Sequence, residues 1–462
     1  MKRLRLLIVF LFPLVAWSAP DLPVLLAERL KCVVAVEYFT ETETERRPSS
    51  AYGVVTDSQG TIIMPSASID PRATPGQLKE FKVYLPGDAS GASAVYLGQD
   101  ALTGWHFVRV EERLRAHLVP ITRFVVAGDA PEPALAEAVW GIGLRNKDED
   151  FMPYLLQGNV ALVQNLPQRT AIAQHEVAGP GLPVFNRAGG FVGLAATSFG
   201  QTFLQFSRSE RGGSPTMLIN VEESSAFQVA AEVLPYLGRV PANVFGRPLA
   251  WLGAYGFEPM DREVAKFLKL EAQSGAVVSE VLEGSPAEKA GMQARDILLA
   301  IDGKPLPRFK PDRVVVSYVE REVERRTPGA RLGLTVLRGT ERVELQAVLG
   351  DEPKLMREAA RSYFDRLGFT AREFVYGDAI VRRVKAADGG GAVAHFVKPN
   401  SPAFVAGLRT DDWIKEIDGV EAKTFAAAIE QLAKTEADAL RSEFVLLVSR
   451  GGETAVLRVK LK

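Results

Sequence analysis

The residues from Ala178 to Ala195 have the spacing of a loop that could hold a catalytic nucleophile. They read AGPGLPVFNRAGGFVGLA, in which a short glycine-rich loop precedes Pro183, a turn at residues 186–190 and an apolar strand at residues 191–194. Nucleophilic catalysis needs a hydroxyl within hydrogen-bond reach of a base that a third group orients. No serine occurs between Ser93 and Ser198, so the loop lacks the group that this chemistry requires.

The length and composition are those of an ordinary multidomain globular protein. The chain has 462 residues, which suggests about three domains. Hydrophobic residues make up 47% and charged residues 24%, with a net charge of −1. This balance gives no reason to expect nucleic acid or an anionic membrane as partner.

The first residues have the pattern of an export signal. A basic start at residues 1–5 precedes an apolar run at residues 6–17, which is too short to span a bilayer comfortably. Small residues around Trp17 allow cleavage after Ser18 or Ala19. We therefore expect a signal peptide over residues 1–18 and an exported, soluble mature protein, with an uncleaved anchor as the alternative. Cys32, the only cysteine, is expected to be a buried thiol in a strand.

Many short apolar runs separated by turn residues predict a β-barrel or β-sandwich after a short helix at residues 22–30. Asp57 to Gly60 has the composition of a hairpin turn. The predicted strands lie at residues 32–38, 51–56, 60–64, 81–85, 94–97 and 107–110.

The segment from Gly53 to Ile69 resembles the HtrA-type proteases, which are trypsin-like double barrels carrying PDZ domains. That family reads G-V-V-I-D-x-x-G-Y-I-L-T-N-N-H-V-V here, and this chain keeps its residues at positions 53, 54, 55, 57, 60 and 62. The resemblance places the catalytic histidine of the family at Ala67. Residues 98–105 resemble D-P-x-T-D-L-A, which places the catalytic aspartate at Gly104.

The nucleophile loop of that family reads G-N-S-G-G-P, and the resemblance then places Gly181 at the first glycine after the nucleophile and Pro180 at the nucleophile itself. Proline has no N–H, so one oxyanion-hole donor of the family is missing as well. No histidine precedes His106, so a shifted register does not restore the triad. His106, His117 and His175 are interpreted as surface or packing residues.

Two further segments extend the resemblance along the barrel. Residues 158–161 resemble G-I-V-S and residues 217–220 resemble F-A-I-P. A helix from Ser224 to Leu237 is then predicted to lead out of the barrel, and a linker is predicted at residues 239–248.

The rest of the chain contains an internal repeat of about 115 residues with the signature of a PDZ domain. In each copy a serine precedes proline at a short helix that ends at glycine, and an Asp-Gly pair follows an apolar strand. These are Ser285, Gly291 and Asp302 in the first copy. Ser401, Gly407 and Asp418 occupy the same places in the second.

PDZ domains bind an extended peptide as an added strand beside a helix, with loop N–H groups holding the terminal carboxylate. By resemblance, the loop residues are Leu252, Gly253 and Ala254 in the first domain and Leu367, Gly368 and Phe369 in the second. The helix residues are Phe425, Ala428, Ile429 and Leu432 in the second domain, with Val315, Tyr318 and Val319 as counterparts in the first. The alternative is that these apolar side chains only fill the cores.

The sequence therefore predicts a mainly β protein with a trypsin-like double β-barrel followed by two PDZ domains of α+β type. The expected boundaries are a degenerate protease domain over 19–240 and PDZ domains over 248–350 and 354–462. The expected function is an exported, periplasmic pseudoprotease that binds protein C-termini or unfolded segments as a chaperone, adaptor or scaffold. We expect no cofactor, metal or nucleic acid, and the family resemblance suggests a homotrimer. The alternatives are an active serine endopeptidase with a rebuilt site and a structural subunit with closed grooves.

Overall fold

In the computed structural model, the chain folds into two β-barrels and two smaller α+β units. The described residues are 21–71, 73–125, 132–165, 167–196, 224–246 and 249–461. The predicted signal peptide and the 217–220 motif therefore lie outside the described residues. Within them, no helix combines the length and the hydropathy that crossing a membrane would require.

The first barrel follows helix α1 (Leu22–Arg29) and is closed by six antiparallel strands in the order β1-β2-β3-β6-β5-β4. Helix α2 (Glu112–Arg115) comes after it. The strands are β1 (Val33–Glu41), β2 (Arg46–Val55), β3 (Thr61–Met64), β4 (Leu78–Tyr84), β5 (Ala92–Gln99) and β6 (His106–Val110). The predicted turn forms between β2 and β3, where the Asp57 side chain accepts hydrogen bonds from the N–H groups of Gln59 (2.8 Å) and Thr61 (3.0 Å).

The second barrel is also closed by six antiparallel strands, in the order β10-β11-β12-β9-β8-β7. Helix α3 (Ala230–Val233) leads out of it. The strands are β7 (Ala138–Leu144), β8 (Pro153–Asn165), β9 (Arg169–Gln174), β10 (Pro183–Asn186), β11 (Phe191–Ala195) and β12 (Ser224–Val229).

Strand β1 shows how the two barrels pack together. Val34 and Val36 belong to the core inside the first barrel, whereas Val33 and Ala35 belong to a core shared with the second barrel. Side chains alternate between the two faces of a strand, so the continuous apolar run lets β1 bury both faces. Cys32 is buried, as predicted, and burial raises the pKa of its thiol. Its predicted place in a strand is wrong, because Cys32 ends a 3-10 turn (Leu30–Cys32) and β1 begins only at Val33.

The prediction of a helix from Ser224 to Leu237 is wrong over its first half. Residues 224–229 form β12, which pairs with β9 and β11 and closes the second barrel. Phe227 and Val229 alternate into the core while Gln228 is only half-buried, and this is the period of a strand. Barrel closure outweighs the helical tendency of the segment, and helix begins only at α3.

Residues 249–351, called PDZ1 below, form one six-stranded sheet, two two-stranded sheets and three helices. Its core lies between α6 and the central strands β18 and β20. The strands are β13 (Ala250–Trp251), β14 (Ala254–Tyr255), β15 (Glu258–Pro259), β16 (Ala276–Val277), β17 (Glu280–Val281), β18 (Ile297–Ile301), β19 (Lys304–Pro305), β20 (Arg331–Arg338), β21 (Glu341–Val348) and β22 (Gly350–Asp351). The helices are α4 (Arg262–Phe267), α5 (Pro286–Lys289) and α6 (Val314–Glu324).

Residues 356–461, called PDZ2 below, repeat this arrangement with one seven-stranded sheet. The strands are β23 (Arg361–Phe364), β24 (Phe369–Glu373), β25 (Ala392–Val397), β26 (Trp413–Ile417), β27 (Val420–Glu421), β28 (Glu443–Arg450) and β29 (Glu453–Lys460). The helices are α7 (Tyr376–Arg382), α8 (Pro402–Val405) and α9 (Phe425–Ala437).

The motifs of the internal repeat have the predicted roles. Ser285 and Ser401 each accept a hydrogen bond from the backbone N–H three residues on, and so cap α5 and α8. Asp302 and Gly303 have φ angles of 48° and 72°, as a tight hairpin turn requires. Repeated local chemistry thus produces the repeated fold.

Candidate functional site: the cleft between the barrels and the PDZ grooves

The segments that carry the three predicted catalytic positions meet at one cleft between the barrels. Ala67 lies in a 3-10 turn (Ser66–Ser68) that follows β3. A Cβ added at Gly104 would lie 2.9 Å from the Ser66 Cβ, and one added at Gly181 would overlap the Pro65 ring. The lining of the cleft includes Pro65, Ser66 and Gly181. The segments that carry Ala67, Gly104 and Pro180, the positions predicted for the histidine, the aspartate and the nucleophile, therefore lie together at this cleft.

The loop around Pro180 directs its N–H groups into the protein rather than into the cleft. Gly179 donates to the carbonyl of Ile142 (2.9 Å), Gly181 to that of Ala195 (3.0 Å) and Leu182 to that of Gly179 (2.9 Å). Pro180 itself has no N–H to donate. An oxyanion hole needs free donors aimed at the developing charge, and residues 179–182 supply none.

His106 lies beneath this cleft but both of its ring nitrogens are engaged. Nδ1 is 2.9 Å from the Tyr96 hydroxyl, and Nε2 is 3.3 Å from the carbonyl oxygen of Ser66 rather than from its hydroxyl. The side chain is buried, and burial lowers the pKa of His106 to about 4. His117 and His175 are exposed on other elements. The described residues that line the cleft include no histidine.

The buried His106 should make the stability of the first barrel depend on pH. The folded protein holds the neutral ring, whereas the unfolded chain takes up a proton below the ordinary pKa of 6.5. Above pH 6.5 the neutral His106 ring makes its whole contribution to the free energy of unfolding. As the pH falls from 6.5 to 4 this contribution declines, by at most about 3 kcal/mol. Urea unfolding across this window should show the decline, and His106→Gln should make it shallower. An equal slope in both proteins would contradict the assignment.

Asp100, four residues before the predicted aspartate position at Gly104, has a structural role in this arrangement. Its buried carboxylate accepts hydrogen bonds from the N–H (3.0 Å) and hydroxyl (2.8 Å) of Thr103 and from Arg239 Nε (3.0 Å). These bonds hold the loop that leads to Gly104 against the segment that leaves the second barrel. Sequence analysis did not assign this role, although the spacing of Asp100 and Thr103 is that of a side chain capping a turn.

In PDZ1 the predicted carboxylate loop faces an open sheet edge. Gly253 has a φ of 76°, and its carbonyl accepts from Leu282 N–H (2.9 Å). Ala254 and Val281 therefore form a non-hydrogen-bonded pair, which turns the Ala254 N–H toward the opposite edge of β14. Among the described residues, no strand pairs with that edge of β14 and β15.

The helix beside this edge is α6, which packs against β15 and β16. Val315 and Val319 are fully buried in the core, so they support the groove rather than line its surface. Tyr318 is half-buried, and its ring centroid lies 5.3 Å from that of Phe309. The structure thus gives the core-filling role to two of the three predicted helix residues and leaves Tyr318 accessible.

PDZ2 has the same loop but a different edge. Gly368 has a φ of 82°, and its carbonyl accepts from Lys398 N–H (2.9 Å). Strand β23 pairs antiparallel with β24, from Arg361 opposite Arg372 to Phe364 opposite Phe369. The sequence predicts the same peptide-binding role for both grooves, whereas in PDZ2 the edge that begins at Phe369 is already paired.

The predicted helix residues of PDZ2 lie beside this paired strand. Helix α9 packs against both β23 and β24. Ala428 and Leu432 are buried, and Phe425 and Ile429 are half-buried against the same core. Leu367 and Phe369 are also fully buried. The PDZ2 residues assigned to peptide binding are thus brought together, but around a segment of the chain itself.

Within the described ranges, no three histidine, cysteine, aspartate or glutamate side chains are gathered where they could hold a metal ion. The expectations of no metal and no cofactor stay predictions.

Comparison with known proteins gives one family match and a set of similar proteases. A PDZ domain model matches residues 277–320. The chain is similar to proteins named probable periplasmic serine endoprotease DegP-like. The one from Pseudomonas fulva is 27% identical over 292 residues, or 61% of this chain and 53% of the relative. The one from Ectopseudomonas mendocina is 26% identical over 315 residues, or 64% and 59%. The chain thus spans little more than half the length of these curated relatives.

Solved structures of HtrA-type proteases are also similar. The HtrA-type protease AlgW with decapeptide has a TM-score of 0.49 and 17% identity, covering 72% of this chain and 98% of its own. The serine endoprotease from Yersinia pestis has a TM-score of 0.47 and 17% identity, covering 72% and 100%. The two closed barrels and the PDZ match bear out the predicted mainly β fold with a trypsin-like double barrel. The chain is similar to PDZ-containing serine endoproteases of the HtrA and DegP type.

Proposed function

We propose that this protein is an exported pseudoprotease of HtrA type, which binds protein C-termini or unfolded segments and does not cut them. The observation that carries the proposal is the loop at Pro180, where the N–H groups of residues 179–182 are bonded internally or missing. Losing one oxyanion-hole donor alone typically costs about 10²- to 10³-fold in rate. Here Ala67 and Gly104 also stand where a base and its orienting group would be.

Binding is assigned to the PDZ domains, of which PDZ1 has the open groove. The Ala254 N–H and the open edge of β14 provide what a PDZ domain uses to add a peptide strand. A peptide held there would lie alongside α6, with its terminal carboxylate at the Gly253 loop. A chaperone, adaptor or scaffold role fits this chemistry, and a homotrimer is part of the proposal. The names of the relatives support a periplasmic location.

The second candidate is an active serine endopeptidase with a rebuilt site. It is favoured by the names of the relatives, which are called serine endoproteases. Such an enzyme would need a nucleophile outside the loop at Pro180 and a base other than the buried His106.

Casein hydrolysis separates the two candidates. We expect no cleavage by the mature protein, residues 19–462, and none by its Pro180→Ala variant. Labelled diisopropyl fluorophosphonate, which tags activated serines, should leave both proteins unlabelled. Cleavage by the parent protein that this inhibitor abolishes would refute the pseudoprotease proposal and establish the endopeptidase.

A further inference from the structure

We propose that PDZ2 is closed by its own chain: β23 and the Glu436 carboxylate occupy the places of a bound peptide and its terminal carboxylate. Peptide capture then belongs to PDZ1 alone, at one site per chain. The closure of PDZ2 is independent of the proposed function, whereas the assignment of capture to PDZ1 rests on it.

The register of β23 is that of a peptide added to the groove edge. Lys398 N–H bonds to the Gly368 carbonyl, so Phe369 and Val397 form a non-hydrogen-bonded pair and the Phe369 N–H points toward β23. At the far end of the strand, Glu373 N–H donates to the Ala360 carbonyl (2.8 Å). Along the whole of β24, the N–H groups that would hold a peptide are therefore already bonded within the chain.

The carboxylate loop is filled in the same way. Glu436, near the end of α9, accepts hydrogen bonds from the N–H groups of Arg366 (2.9 Å) and Leu367 (3.2 Å). Gly368 N–H donates to the Phe364 carbonyl (2.7 Å). A side-chain carboxylate and a backbone carbonyl thus take the loop donors that a peptide terminus would use.

The side chain of Phe364 completes the resemblance to a ligand. It is buried in the PDZ2 core, with its ring centroid 5.9 Å from that of Phe369. Tyr363, the preceding residue, is exposed. The last residue of the internal strand therefore occupies an apolar pocket at the loop, as the last residue of a bound peptide would.

PDZ1 lacks both parts of this closure. In α9, Glu436 lies four residues after the buried Leu432, and in α6 the residue four after the buried Val319 is Val323, which has no carboxylate. Strand β13, which precedes the PDZ1 loop, pairs with β22 instead of with β14.

Pro259 gives independent support for an open PDZ1 edge. Met260 N–H bonds to the Gly275 carbonyl (2.8 Å), so Pro259 and Ala276 form a non-hydrogen-bonded pair. The nitrogen of Pro259 consequently faces the groove, where a proline is tolerated because no strand needs its N–H. In PDZ2 the residue at the same place is Glu373, whose N–H donates to the Ala360 carbonyl. Because Pro259 has no N–H, a peptide added to PDZ1 can form backbone hydrogen bonds only along a short C-terminal stretch.

The first barrel makes a contact with β24, the strand that β23 pairs with. Glu43, in the turn between β1 and β2, accepts a hydrogen bond from the buried Thr370 hydroxyl of β24 (2.7 Å). This contact holds β24 from the face of the sheet while β23 holds its edge.

Site-resolved hydrogen exchange on the intact mature protein tests the closure. Without peptide, the N–H groups of Phe369, Ala371 and Glu373 should exchange at least about 100-fold more slowly than that of Ala254. Adding a synthetic decapeptide with the sequence of residues 355–364 and a free carboxylate should not change the three PDZ2 rates. Similar rates at Ala371 and Ala254, or new protection of β24 by the decapeptide, would overturn the proposal.

Two proline variants provide a matched comparison. Ser362 pairs with Ala371 in a hydrogen-bonded position, whereas the N–H of Tyr363 points away from β24. We expect Ser362→Pro to speed exchange at Ala371 by at least about tenfold more than Tyr363→Pro does. Equal effects would count against β23 as the closing strand. These readouts decide the closure even if PDZ1 binds no peptide, so the two proposals can fail separately.

Discussion

Gly253→Ala lowers the affinity of the protein for peptides with a free C-terminal carboxylate by about 100-fold, because it closes the PDZ1 loop. Gly253 has a φ of 76°, and a Cβ there would overlap the Ser285 side chain that caps α5. Relieving the overlap moves the loop N–H groups away from the carboxylate. Hydrogen bonds to a charged group contribute about 1.5–3 kcal/mol each, so the loss of one or two gives the expected change.

Gly284→Ala is the matched control for this prediction. Gly284 has a φ of 74°, so the same substitution introduces the same kind of backbone strain, but no atom lies within 4 Å of the added Cβ. The probe is the best-binding member of a peptide library with free carboxyl ends, and its affinity is measured by fluorescence anisotropy. A similar loss in both variants would show that strain, rather than the loop geometry, controls binding.

Asp378→Ala should lower the free energy of unfolding of PDZ2 by about 3–5 kcal/mol, because it removes the carboxylate that makes two hydrogen bonds to the buried Arg372 guanidinium. Arg372 is fully buried and makes two hydrogen bonds to the Asp378 carboxylate, of 2.5 and 2.8 Å. Arg382 (2.9 Å) and the Val375 N–H (2.9 Å) also donate to it. Hydrogen exchange of β26 and β28 in increasing urea reports PDZ2 alone.

Glu430→Ala is the control for this prediction. Glu430 and Lys434 form an exposed ion pair on α9 in the same domain, and its loss should leave the stability of PDZ2 almost unchanged. The pH dependence supplies a second check. Burial alone would raise the pKa of Asp378, but the hydrogen bonds from Arg372 and Val375 outweigh it and hold that pKa below its usual value. The stabilisation is therefore present at neutral pH and disappears as the pH falls through the pKa of the folded state. Equal destabilisation by both variants would contradict the account.

The fold was largely predictable because its signals are local. The capping serine at Ser285, the turn at Asp302 and their repeats at Ser401 and Asp418 each act within a few residues, so they can be read directly from the sequence. The two barrels followed from the short apolar runs and from the family resemblance. Strand β12 was missed because only barrel closure, a long-range effect, determines it.

The candidate site was predictable in its residue types but not in its contacts. The absence of a hydroxyl at Pro180 can be read from the sequence. The internal bonding of the Gly179 and Gly181 N–H groups cannot, because it depends on how the loop packs against Ile142 of β7 and Ala195 of β11. The closed groove of PDZ2 was missed for the same reason. Strand β23 is only four residues long, and Glu436 lies 69 and 70 residues from the loop amides that it accepts from.

The central claim is that the protein holds peptides without cutting them. The most direct measurement is a titration of the mature protein with the best-binding library peptide, followed by mass spectrometry of the same sample after long incubation. The account predicts one peptide bound per chain, with the peptide recovered intact. Recovery of cleaved peptide, prevented by diisopropyl fluorophosphonate, would contradict it and identify the protein as a protease.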